Sequence, residues 1–163
     1  MFSIFKYFQK SSISPNNKKF LIVGLGNIGE EYTNTRHNIG FDIVDQLGRI
    51  LKGTFNAAKY GDILKSKYAG KQIILLKPNT FMNLSGKAVL YWLKKEKIHT
   101  NNLIVIVDDL NINFGVSRLK PSGSDGGHNG LKDITNSLNT SSFTRLRFGI
   151  GNNFKKKDQV DFV

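Results

Sequence analysis

The chain has 163 residues, 39% of them hydrophobic, which suits one domain with a substantial core and is too short to divide into two. It carries 24 Lys and Arg against 12 Asp and Glu, a formal charge of +12, so an acidic partner is expected: nucleic acid first, a ribosomal surface next, anionic lipid last. The absence of cysteine excludes disulfides, thiolate nucleophiles and cysteine-based zinc sites, and no apolar run reaches the roughly 18 residues of a membrane span.

In chain order, residues 1–19 (MFSIFKYFQKSSISPNNKK) stand apart, with no acid and with Phe2, Phe5 and Phe8 spaced to stripe a short helix. Two readings stay open for this segment: a basic docking arm or organelle-targeting sequence, and a helix folded on the domain's edge. From residue 20 the pattern turns α/β. Residues 20–23 form a short buried strand that runs into the turn Gly24-Leu25-Gly26-Asn27-Ile28-Gly29. Residues 37–50 predict an amphipathic helix with Ile39, Ile43, Leu47 and Ile50 inward. Residues 60–77 predict a hairpin broken at Ala69-Gly70 and closed by Pro78. A second helix is expected over 84–94, with Val89, Leu90 and Leu93 inward and Lys94-Lys95 complementing its dipole. LIVIVDDL (103–110) is the clearest buried strand, 114–120 reads as another, PSGSDGG as a flexible loop and 131–138 as a third helix. RLRFGIG (145–151) alternates basic and apolar residues, so a strand with one exposed face is expected. Strands alternating with helices predict a single α/β domain whose mixed, mostly parallel sheet carries helices on both faces.

The glycines at 24, 26 and 29 superficially resemble a dinucleotide fingerprint, but EEYTNTRHN intervenes before the helix and no Walker-type lysine follows, so a tight turn after a strand accounts for them. His37 lies off the apolar stripe, and imidazole is the side chain suited to reversible proton transfer near neutrality. A buried carboxylate that accepts a hydrogen bond from the ring's other nitrogen would orient it, and Asp108, ending an apolar strand, is the candidate. The other reading of Asp108 is a cap on the following turn. With no serine elbow and no cysteine, a His-Asp pair points to direct attack by water, with the amides of Asn27, Asn83 and Asn129 gripping carbonyl, hydroxyl and water. No metal is expected: His37, His99 and His128 are scattered, and Asp108-Asp109 alone are poor zinc ligands.

Taken together, GLGNIGEEYTNTRHNIGF, KPNTFMNLSG, VIVDDLN, GGHNGLKDI and RLRFGIG resemble, in order, the motifs of the bacterial-type peptidyl-tRNA hydrolase family. The resemblance implies hydrolysis of the ester between a peptide and the terminal ribose of tRNA, with no cofactor, no metal and no covalent intermediate. His37 matches the family's essential histidine, Asp108 the carboxylate that holds it, and Asn27 the amide beside it. Asn83 and Asn129 match amides that hold the peptide backbone and help place water, and Tyr32 and Met82 match pocket-lining residues. Lys120 and Arg147 match a clamp on the tRNA 5′-phosphate, with Lys132 adding positive surface nearby. Proline is usual in the family where Ile28 stands.

The resemblance also implies that relatives continue beyond the position of Val163. The domain at 20–163 is therefore expected to be C-terminally short, with an apolar patch covered by a partner or by the 1–19 arm, and the protein is expected to be a monomer if free. A ribosome or larger ribonucleoprotein is the partner considered beside peptidyl-tRNA, and the compartment stays open between cytoplasm and mitochondrion. The competing function is a noncatalytic, RNA-binding or ribosome-associated member of the same family.

Overall fold

A computed structural model of the chain describes residues 18–32 and 35–152. The expectations for the 1–19 arm and for the C-terminal end therefore fall outside the described residues, apart from Lys18 and Lys19. Among the described residues, seven strands form one sheet in the order β2-β3-β4-β1-β5-β7-β6. They are β1 (Lys19–Gly24), β2 (Asn56–Ala58), β3 (Gly61–Tyr68), β4 (Lys71–Pro78), β5 (Leu103–Asp109), β6 (Ser117–Lys120) and β7 (Thr144–Gly149). The four central strands β4, β1, β5 and β7 run parallel, while β2, β3 and β6 add on antiparallel at the two margins. The hairpin β3–β4 turns at Ala69 and Gly70, both at positive φ (48° and 73°), as a two-residue connection between twisted strands requires.

Among the described residues, three α-helices cover the sheet: α1 (Ile39–Ile50), α2 (Ser85–Glu96) and α3 (Asn129–Leu138). Alternation along β1 sorts the two cores. Leu21 and Val23 pack with Val89, Trp92 and Leu93 of α2 and with Leu131 and Ile134 of α3, while Phe20 and Ile22 pack with Val44 and Leu47 of α1 on the opposite face. Both faces being covered, the central strands read as continuous apolar runs.

Three expectations need correcting. The inward face of α1 is Gly40, Val44, Leu47 and Gly48, with Ile43 half-buried and Ile50 at the surface. Glycine occupies the closest approach: a Cβ on Gly24 would lie 2.2 Å from the Gly40 carbonyl oxygen, so the helix start touches the end of β1 backbone to backbone. The strand expected over 114–120 begins only at Ser117, because Gly115 at φ 80° and a turn from Asn113 O to Val116 N–H hold the preceding residues out of the ladder. Finally, β7 has no exposed basic face. Arg145 is fully buried, its guanidinium over the Phe143 ring at 4.1 Å and donating to the Ser141 and Phe143 carbonyls.

Candidate active site

The order of the sheet reverses at β1, with β4 on one side and β5 on the other, and open α/β sheets carry their clefts outside such carboxyl ends. A cleft of about 380 Å³ lies there, lined by Asn27, His37, Met82, Asp108, His128 and Asn129 among others. The chain leaving β1 is fixed by Leu25 N–H donating to Ile106 O at 3.0 Å. Two residues on, Asn27 is clamped by the buried Asn38: its N–H donates to Asn38 Oδ1 at 2.7 Å, and Asn38 Nδ2 donates back to Asn27 O at 3.1 Å. Asn38 thus completes the backbone bonding that the glycine turn leaves open, and it fixes the neighbouring His37 over the end of β5.

His37 Nδ1 stands 2.6 Å from Asp108 Oδ2. The other carboxylate oxygen, Oδ1, meets His128 Nε2 at 3.3 Å. Burial alone would raise the Asp108 pKa. The hydrogen bonds from His128 and then His37 outweigh it, and the carboxyl is lowered to about 2. Asp108 is therefore ionised across the neutral range and can only accept, so His37 Nδ1 carries the proton of that bond, and in the neutral ring Nε2 is the acceptor, with no partner among the described residues. His128 is committed on both sides. Its Nδ1 accepts from the N–H groups of Gly130 and Leu131 at 3.1 and 3.4 Å, capping α3, which fixes the proton on Nε2 facing Asp108.

The next carboxylate, Asp109, does structural work. Arg147 Nη1 donates to Asp109 Oδ2 at 3.1 Å and Nη2 to Ser124 O at 2.9 Å, tying the 121–128 loop to the end of β5. Met82 enters the cleft floor because Gly130 has no side chain: a Cβ there would lie 2.6 Å from Met82 Sδ.

The sequence profile described as peptidyl-tRNA hydrolase matches residues 21–163. A peptidyl-tRNA hydrolase of Parabacteroides distasonis is 56% identical over 145 residues, covering 89% of this chain and 78% of the relative. The chain belongs to the peptidyl-tRNA hydrolase family. A Bacteroides fragilis peptidyl-tRNA hydrolase is 57% identical over the same shares of both chains. A crystal structure of peptidyl-tRNA hydrolase from Acinetobacter baumannii, 39% identical, superposes with a TM-score of 0.83 over 93% of this chain and 78% of that one. The mixed α/β sheet with helices on both faces is thus the fold of the peptidyl-tRNA hydrolase family, and the chain is a hydrolase of that family.

Of the residues singled out from the sequence, Asn27, His37, Met82, Asp108, Asn129 and Arg147 line the one cleft. Asn83 does not join them. In the single turn Met82–Leu84 the methionine faces the Gly130 gap, which leaves the adjacent asparagine exposed. Tyr32, Lys120 and Lys132 are also exposed and lie outside the cleft lining. Residues that sequence reasoning missed are His128, Asn38 and Asp109. His128 carried a signal, since it sits directly before a helix start where caps belong. Among the described residues, no three His, Asp or Glu side chains are grouped as a metal centre.

Proposed function

We propose that His37 Nε2 takes the proton of the water that attacks the ester joining peptide to tRNA, the bond that this hydrolase cleaves. The observation that carries the reading is the unequal use of two histidines on one carboxylate. Asp108 fixes the tautomer of both, but His128 has its second nitrogen occupied by the α3 backbone, whereas His37 keeps Nε2 for the cleft. His37 is also the more open of the two, with 34% of its side chain exposed against 15%. Asn27 and Asn129, both on the cleft wall, supply amide donors to the oxygen on which charge develops as water adds to the carbonyl. The proton on His37 then returns to the leaving ribose oxygen, so atoms and charge balance without a covalent intermediate.

Substrate contacts follow from the same layout. Met82 offers an apolar surface to the peptide, and the exposed Asn83, next to it in sequence, and Tyr32 are assigned to further substrate contacts. Lys120 and Lys132 are free to meet tRNA phosphates. Arg147 is only 16% exposed and already bonded to Asp109, so it reaches a phosphate only by exchanging that partner.

The test is hydrolysis of N-acetyl-aminoacyl-tRNA by the full chain in water enriched in ¹⁸O. The expected result is release of the N-acetyl amino acid with one ¹⁸O in its carboxylate and no protein-bound acyl group. An acyl-protein species trapped on acid quenching, or no release at all, would overturn the reading.

A further inference from the structure

A second basic surface lies apart from the Lys120 side of the cleft. Lys59, in the turn between β2 and β3, stands 5.2 Å from the Tyr60 ring centre and 5.1 Å from that of Tyr91. Lys87 approaches Tyr60 at 5.2 Å, and Lys95 approaches Tyr91 at 5.5 Å and Trp92 at 4.5 Å. The rings brace one another edge to face, Tyr60 on Tyr91 at 5.3 Å and Tyr91 on Trp92 at 5.4 Å. Trp92 Nε1 donates to Lys59 O at 3.0 Å, fixing the turn to the helix. All three lysines are exposed, and none forms an ion pair with a described residue. The nearby carboxylate Asp133 is engaged as the acceptor of the Gly86 N–H.

Lys87, Tyr91 and Lys95 recur every four residues on α2, so they form one stripe about 12 Å long. The stripe starts at the cleft, because α2 follows directly on the Met82 turn and packs beside α3, whose first turns hold Asn129 and Lys132. A dipole argument explains lysines at the end of α2, such as Lys94 and Lys95. It does not explain Lys87 in the first turn or Lys59 on a separate turn converging on the same rings. Long side chains held over rings have lost much of their freedom before any ligand arrives, which lowers the entropic cost of meeting an anion.

We propose that this stripe is a second contact for the sugar–phosphate backbone of the tRNA, on the outer face of the α2–α3 layer. The proposal rests on the peptidyl-tRNA reading of the cleft. Three exposed cations in one row, none ion-paired with a described residue, fit the repeated charge of a phosphate backbone and give no specific grip on base edges.

The test compares the full chain with the variant K59Q/K87Q/K95Q and, as a control that removes the same number of exposed lysine charges elsewhere, K52Q/K94Q/K97Q. Affinity for deacylated tRNA is measured against salt, and hydrolysis is measured with N-acetyl-aminoacyl-tRNA and with the same ester on a CCA trinucleotide. The stripe variant should lose about 2 to 3 units of salt slope, at 0.7–0.9 per phosphate. Its KM for the whole tRNA substrate should rise with kcat unchanged, and its trinucleotide turnover should stay at the parent level. An unchanged slope and KM would overturn the proposal. So would an equal or larger slope loss in the control, which would reduce the effect to net charge, or a parallel loss on the trinucleotide, which would mean damage to the cleft. If the parent chain binds tRNA but hydrolyses neither substrate, the reading of the cleft fails while the slope comparison still decides the stripe.

Discussion

The two walls of the cleft are held by different forces. On the β1 side, backbone meets backbone: Gly24 and Gly40 leave no room for a side chain, and Asn38 locks the turn that carries Asn27. The 121–128 side is held differently. The loop is fixed by polar ties, from Arg147 to Ser124, from the Gly127 N–H to Asp125 Oδ1 at 2.8 Å, and from His128 to Asp108. The difference assigns tasks. The proposed proton acceptor, His37, rides on the close-packed wall, whose geometry cannot drift without a steric penalty, while Asn129 rides on the wall whose bonds can be exchanged one at a time.

The comparison breaks most severely at its packed side. Gly24→Ala puts a methyl 2.2 Å from the Gly40 oxygen and 2.7 Å from Val44 Cγ2, so a loss of about 3 kcal/mol is expected, toward the upper end for overpacking. Chemical denaturation measures it. A stability change under about 1 kcal/mol would mean that the β1–α1 contact yields easily and that the wall is not rigid.

Asp108 sits on the seam between the walls, and its acid response is the next largest effect. Its folded-state pKa, about 2, lies below the ordinary 3.8, so the native state binds that proton less tightly than the unfolded chain. The contribution is full above about pH 4 and is lost as pH falls through 2, amounting to about 2 kcal/mol. Unfolding measured between pH 5 and pH 2 should show this increment in the parent and not in Asp108→Asn. Identical acid profiles would remove the carboxylate as the shared anchor.

The polar wall should respond least to a single cut. Arg147→Gln removes the tie to Asp109 and Ser124, with an expected cost of about 1.5 kcal/mol, the low end for bonds to a charged group. Faster amide exchange should be confined to 121–128 and absent from 24–40. Exchange spreading equally into both segments would show that the walls are one cooperative unit.

Much of the packed side was legible in the sequence and little of the polar side was. The apolar runs of β1 and β5 and the Ala69-Gly70 turn announce themselves, because burial on both faces and positive φ each demand particular residue types. The stripe on α1 was misread for a physical reason: glycine, not isoleucine, occupies the tightest approach, so the inward face at 40 and 48 has no hydrophobic signature. Arg145 was misread because a charged side chain in a strand suggests solvent unless its ring partner and two carbonyl acceptors are known in advance. The three-residue β2, NAA, has no alternation to detect. In the site, the His37–Asp108 pair followed from chemistry and strand ends. His128 did not, since its bond to Asp108 depends on where a glycine-rich loop returns. Asn83 is exposed beside the cleft, its neighbour Met82 taking the inward position.

The most direct measurement sets the two histidines of Asp108 against each other, using turnover of N-acetyl-aminoacyl-tRNA by His37→Ala and by His128→Asn. Asparagine is a strong helix cap, so the second variant keeps the start of α3 and loses only the bond to Asp108. If His37 is the proton acceptor, His37→Ala should lower kcat by about 10²–10⁴. His128→Asn should lower it by less than about tenfold, the worth of one hydrogen bond. Equal losses in the two variants, or a larger loss at His128, would contradict the assignment of His37 as the base.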